Sequence, residues 1–215
     1  MKKLVYLILI LPVIICLGCA TAKPGANVAP KSTTVETGSA TIPNSETVTK
    51  LPKSFVPTEQ SINKVRQVST VYLEVKALKV VQSFTPIMLK DINANSSFAG
   101  AVLTRCDFDV IKACASAGWN PSVILRAPTG QNHMRVVIGY NDPSEELTLT
   151  DPAEMSNVRQ IKLSYADFER MWDDPQKTCL LVFPQYVAEQ LIKSTLLKYL
   201  PKEKVDSVVI KSKAT

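Results

Sequence analysis

Histidine is almost missing from this chain: His133 is the only one among 215 residues. That excludes a multi-histidine metal centre, and any imidazole chemistry must run through this one side chain. Cysteine is scarce as well, and five residues cannot build a disulfide-dense scaffold. Strong charge of one sign is also absent. A formal net charge of +6 with no obvious patch to carry it is not a nucleic-acid-binding signature. No apolar run reaches the roughly 20 residues that a membrane-spanning helix needs. Nothing in the pattern calls for a metal or an organic cofactor. What the chain does have is 46% apolar and 20% charged residues, enough for a packed core in one ordinary domain with some tail to spare.

The longest apolar run is Leu4 to Leu17, and it follows Met1-Lys2-Lys3. A short basic start before about fourteen apolar residues reads as a secretory signal. The run ends Cys16-Leu17-Gly18-Cys19-Ala20. This resembles a bacterial lipoprotein signal, in which a small residue precedes the cysteine that is lipidated and becomes the new N-terminus. The residue three before that cysteine is usually Leu and is Cys16 here. The resemblance implies a signal over residues 1–18, a lipid on Cys19 and outer-membrane anchoring, since position 20 is not Asp, with the head on the periplasmic side.

Residues 19–54 read as a disordered tether, rich in Thr, Ser, Ala, Pro and Gly, with no aromatic before Phe55. Such composition cannot bury enough apolar area to offset chain entropy. Cys106, Cys114 and Cys179 then remain in an oxidising compartment. Cys106 and Cys114 are too far apart along one helix to bridge. A Cys106–Cys179 or a Cys114–Cys179 bridge stays open, and an odd count leaves a free thiol.

From residue 55 onward the periodicity changes once. Ile62 to Val81 repeats at three- and four-residue spacing and predicts a helix, although its β-branched content is high. Thr85-Pro86 fits the start of a shorter helix through Ile92, Asn93 to Gly100 reads as a polar loop, and Cys106 to Ala117 predicts a third helix capped by Gly118. After Gly118 the period moves toward two. Strands are expected at Ser122–Leu125, His133–Tyr140, Leu147–Thr150, Ile161–Leu163 and Cys179–Phe183. Ser164 followed by Asp167 marks a helix start for Tyr165 to Trp172. A last helix is expected over Tyr186 to Leu200, stopped by Pro201, either packed on the domain or serving as a docking face. Asp206 to Ile210 could add an edge strand before a basic tail. Helices first and an antiparallel meander afterwards give an α+β class.

The segments Gly118-Trp-Asn-Pro-Ser-Val-Ile-Leu125, Asn132-His-Met-Arg-Val-Val-Ile-Gly-Tyr140, Leu147-Thr-Leu-Thr-Asp-Pro152, Leu163 to Trp172 and Leu180 to Pro184 carry a further resemblance. Together they resemble the second half of a papain-like cysteine peptidase of the bacteriocin-processing, double-glycine-leader type. The resemblance implies a papain-like domain over 55–184, with N-terminal helices packed on an antiparallel sheet and a C-terminal helix and basic tail at 185–215. It also assigns His133 as the base, Asp151 as its orienting partner and Gln60 as an oxyanion position.

The family's nucleophile is a cysteine at the start of the first long helix. Here that start reads Ser61-Ile-Asn-Lys-Val-Arg-Gln-Val-Ser69, with no cysteine. His133 and Asp151 are therefore expected to be vestigial, and the chain to be a non-catalytic, peptidase-like binder of a polypeptide or envelope protein. The alternative is an active peptidase using Cys106, His133 and Asp151, although Cys106 lies nearer His133 in sequence than the family arrangement allows.

Overall fold

The computed structural model describes residues 50–154 and 158–212. The signal, Cys19 and residues 20–49 of the tether lie outside the described residues.

Eight strands among the described residues form one antiparallel sheet. They are β1 (Ser54–Phe55), β2 (Ala99–Thr104), β3 (Ser122–Arg126), β4 (Asn132–Asn141), β5 (Glu146–Thr150), β6 (Ile161–Ser164), β7 (Cys179–Phe183) and β8 (Val209–Lys211). The order across the sheet is β6-β5-β4-β3-β7-β2-β8, and β1 pairs with β4 outside that path. The helices are α1 (Glu59–Glu74), α2 (Met88–Asn95), α3 (Phe108–Ser116), α4 (Tyr165–Met171), α5 (Glu189–Leu196) and α6 (Lys202–Ser207).

The central strands alternate between two cores. Val123, Leu125, Ala101, Leu103, Cys179, Leu181 and Phe183 join one apolar cluster, with Val110, Ile111, Phe168, Ile192, Leu196 and Val205 from α3, α4, α5 and α6. Ile124, Met134, Val136, Ile138, Val102, Leu180 and Val182 join the other, with Val65 and Val68 of α1 and Leu89 and Ile92 of α2. Helices therefore cover both faces of the sheet. A strand buried on both faces needs apolar residues at successive positions, as in the wholly buried run Cys179–Phe183.

The α+β class and the helix-on-antiparallel-sheet arrangement hold, while several element boundaries move. The first helix was expected to reach Val81 but stops at Glu74. The Val75 N–H bonds Val71 O, and the chain continues as a 3₁₀ segment over Lys76–Lys79. Val71, Val75, Val80 and Val81 are poor helix formers, so this end has little intrinsic helicity to hold it. The second helix begins with tight turns, in which Met88, Leu89 and Lys90 donate to Thr85, Pro86 and Ile87 at 3.1 Å, and it runs on to Asn95.

The expected loop through Gly100 holds the start of β2 instead. Ala99-Gly100-Ala101 carries no alternation, which hides the strand. Gly100 is there because α2 presses on it: a Cβ at this position would meet Leu89 Cδ2 at 3.0 Å. The C-terminal segment contains two helices rather than one, α5 and α6 on either side of Pro201, followed by β8. Ile192, Leu196, Leu200, Val205, Val208 and Ile210 all enter the core, and Ile210 registers against Leu103 of β2.

Helix termini follow their sequence signals closely. Thr58, Asp107 and Ser164 are N-caps whose side chains accept from Ser61, Val110 and Asp167 N–H. At the end of α3, Gly118 takes φ +72°. Its N–H bonds Ala115 O at 2.8 Å and the Trp119 N–H bonds Cys114 O at 3.0 Å, a Schellman closure.

The start of the domain reaches back before Phe55. Leu51 packs against the core, Pro52 O accepts from the Tyr140 hydroxyl at 2.9 Å, and Lys53 O accepts from Asp142 N–H at 2.8 Å. β1 crosses β4 at Gly139, where a Cβ would meet Phe55 O at 2.6 Å and Pro57 Cδ at 2.8 Å. Those neighbours are backbone and a stiff ring, so they cannot swing aside. We expect Gly139→Ala to lower unfolding stability by about 1–3 kcal/mol in urea denaturation, from forced overpacking. An unchanged midpoint would mean that β1 is not held against β4 in solution.

Candidate functional site

His133 is the second residue of β4, where it registers against Leu125 of β3. Its ring is partly exposed, and no hydrogen bond or ion pair ties it to another of the described residues. It lines a hollow of about 590 Å³. The walls come from two directions. The end of α1, the 3₁₀ segment and the turn after it supply Tyr72, Lys79, Val80 and Gln82, while the sheet side supplies Gln131, Asn132, Arg135 and Asp151. Val80 is an exposed valine at 83% of its full area, set at the rim.

The strand itself contributes to this hollow. The ladder with β5 ends at Val136 opposite Thr150, whereas β4 begins at Asn132. Residues 132–135 thus run beyond β5, with β3 paired along their other side. Among the described residues no strand pairs with the other edge of 132–135, where Met134 O accepts from the Arg135 guanidinium at 3.2 Å and the remaining main-chain groups face the hollow.

Asp151 follows β5 directly and shares this hollow with His133, but its carboxylate is committed elsewhere. Oδ2 accepts from the Arg135 guanidinium and Oδ1 accepts from Ala153 N–H at 2.9 Å. The register explains the choice. With Val136 opposite Thr150, the next step along the antiparallel ladder sets Asp151 beside Arg135, two residues from His133. A half-buried guanidinium–carboxylate pair of this kind holds the corner of the hollow and leaves the imidazole without an orienting partner.

Gln60 lies at the other end of α1. It lines a smaller hollow of about 220 Å³ with Thr58, Ser61, Lys64, Ser116 and Gly118. Tyr72, on the same helix, already borders the His133 hollow, so the rise along α1 sets the two sites roughly 18 Å apart. At the Gln60 end the Ser61 hydroxyl bonds Thr58 Oγ1 at 3.2 Å, and the Lys64 ammonium donates to Gly118 O. Partial burial lowers the Lys64 pKa. Ser69, in the middle of this helix, is fully buried.

The cysteines are also remote from the imidazole's hollow. Cys106, Cys114 and Cys179 are buried in the core on the α3 side of the sheet and carry free thiols. Cys106 Sγ lies 3.8 Å from Cys179 Sγ. That hydrogen bond and burial push the Cys106 thiol well above its ordinary pKa, the opposite of what an attacking thiolate requires. The structure thus gathers His133 and Asp151 at one hollow, leaves Gln60 at another and keeps Cys106 inside.

Tyr72, Lys79, Val80 and Gln131 were not singled out from the sequence. Lys79 and Val80 lie past the point where the helix ends, short of its expected end at Val81. The only advance sign was the valine content of that stretch.

No group of three or more His, Cys, Asp or Glu side chains able to hold a metal is found among the described residues. We expect a small maleimide probe at neutral pH to leave Cys106, Cys114 and Cys179 unlabelled in the folded protein. Rapid native labelling of Cys106 would show that this thiol reaches solvent. Comparison of the sequence with protein-family models and with curated proteins gives no match.

Proposed function

We propose that this protein is a lipid-anchored, non-catalytic, papain-like domain that binds an extended polypeptide segment in the hollow beside His133. In this reading Cys19 carries the lipid, the outer membrane holds the protein with its head on the periplasmic side, and the bound chain belongs to envelope assembly, secretion or processing. The observation that carries the reading is the edge of β4 at residues 132–135 that no strand pairs among the described residues, forming one wall of the 590 Å³ hollow. An extended peptide can add there as a strand, its main chain bonding that of β4 and its side chains meeting Val80 and Tyr72 across the gap. The buried position of Cys106 and the Arg135–Asp151 pairing support binding over cleavage.

Peptides selected from a displayed random library against the full chain test this reading. We expect selected peptides to bind reversibly and stay intact, and Val80→Glu to weaken them at least about tenfold. His133→Ala should change affinity without creating or abolishing any cleavage. Cleavage of a selected peptide that disappears in Cys106→Ala would overturn the reading in favour of a working peptidase. Full affinity in Val80→Glu would place binding elsewhere.

A further inference from the structure

Three thiols meet in the interior, none of them used by the proposed site. Two are fixed by the backbone around them. The turn leaving β2 is stitched to the segment entering β7: Arg105 N–H donates to Gln176 O at 2.8 Å and Cys106 N–H donates to Lys177 O at 2.9 Å. The β7 side is itself held by Asp174, only 3% exposed, whose carboxylate accepts from Gln176 N–H and Thr178 N–H, each at 2.9 Å, and from the Thr178 hydroxyl. Leu103 of β2 registers directly against Cys179. These bonds leave the Cys106 and Cys179 side chains facing each other with sulfurs 3.8 Å apart.

We infer that Cys106 and Cys179 are a disulfide-forming pair, joined as the chain folds under oxidising conditions, with Cys114 left as the free thiol of the domain. Sulfurs already in contact need to close to about 2.05 Å, which rotation about χ1 and a small main-chain adjustment can supply. Cys114 sits wholly buried in the last turn of α3, where its carbonyl closes the helix end by accepting from Trp119 N–H, and the sulfur in contact with Cys179 is that of Cys106.

The step is a thiol–disulfide exchange. The two thiols are oxidised to one S–S bond, giving up two electrons and two protons, and the disulfide of an oxidised partner such as oxidised glutathione is reduced to two thiols. The bond spans 73 positions of sequence and ties the outer strand pair β2–β8 to β7. Burial makes its timing specific. Both thiols are pushed well above the ordinary cysteine pKa: Cys106 by its hydrogen bond to Cys179 and by burial, Cys179 by Cys114 and burial against the lowering effect of Cys106. Both sulfurs are also closed off from an exchange partner, Cys106 at 3% and Cys179 at 0% exposure, so exchange belongs to the unfolded or folding chain.

This inference is independent of the polypeptide-binding proposal and is tested without any partner. The full chain is unfolded with reductant, refolded in a mixture of reduced and oxidised glutathione, alkylated after denaturation and digested with trypsin. The three cysteines fall on separate peptides, Cys106–Lys112, Ala113–Arg126 and Thr178–Lys193. The expected product is the first peptide linked to the third, lighter by two hydrogens than their sum, with Cys114 alkylated. Refolded reduced protein, exposed to oxidised glutathione only afterwards, should form the link at least about tenfold more slowly. Cys114→Ser should leave the link intact. Three alkylated cysteines in the refolded protein, or a link through Cys114, would overturn the inference.

Discussion

The constraint on which the rest of the molecule depends is that its antiparallel sheet must be buried on both faces. Each fully buried Val or Leu contributes about 1.5–3 kcal/mol by leaving water. In β7, Leu181 faces one core and Leu180 the other, both fully buried. A single layer of helices could satisfy only half of these side chains. The chain therefore sends α1 and α2 to one face and returns through α3, α4, α5 and α6 to the other. The last turns of the chain are part of this cover, since β8 completes the β2 edge and Val205 and Ile210 fill the second core.

The hollow is a by-product of the same constraint. α1 lies on the sheet with one end near Gly118 and the other near β4, so its two ends border different depressions. The 3₁₀ segment that follows packs Leu78 into the core beside Ile124 and Met134 and leaves Val80 exposed beyond it. Between this segment and the start of β4 a space is left that the core does not fill. His133 stands in that space because it begins the strand, and Arg135 with Asp151 fixes the corner by an ion pair rather than by packing. The positions that a cysteine peptidase would need together are separated by the length of a helix. This geometry suits holding a chain better than cutting one.

Much of the architecture was legible in the residues. The alternation of Asn132 to Tyr140, the capping pair Ser164–Asp167 and the Gly118 stop each specify a local structure through short-range chemistry, and each forms where the sequence places it. β2 escaped because a strand buried on both faces and built on Ala-Gly-Ala shows no period at all. The break of α1 escaped because Val75 and Leu78 keep helical spacing, which masks the weak helicity that the valines bring. The site followed the same division. His133 and Asp151 were singled out by the family resemblance, and they do share one hollow. Their lack of a mutual bond follows from the β4–β5 register, which places Arg135 rather than His133 against Asp151 and which no single residue encodes.

The central claim is that the uncovered end of β4 is where a polypeptide docks. Hydrogen–deuterium exchange of the full chain, with and without a saturating library-selected peptide, tests it most directly. The account predicts slowed exchange at the Asn132 and Met134 amides, which point away from β3, and in the Val80 turn, with the Gln60 end of α1 unchanged. Protection confined to residues 58–64 and 116–118, with 132–135 exchanging as before, would contradict it.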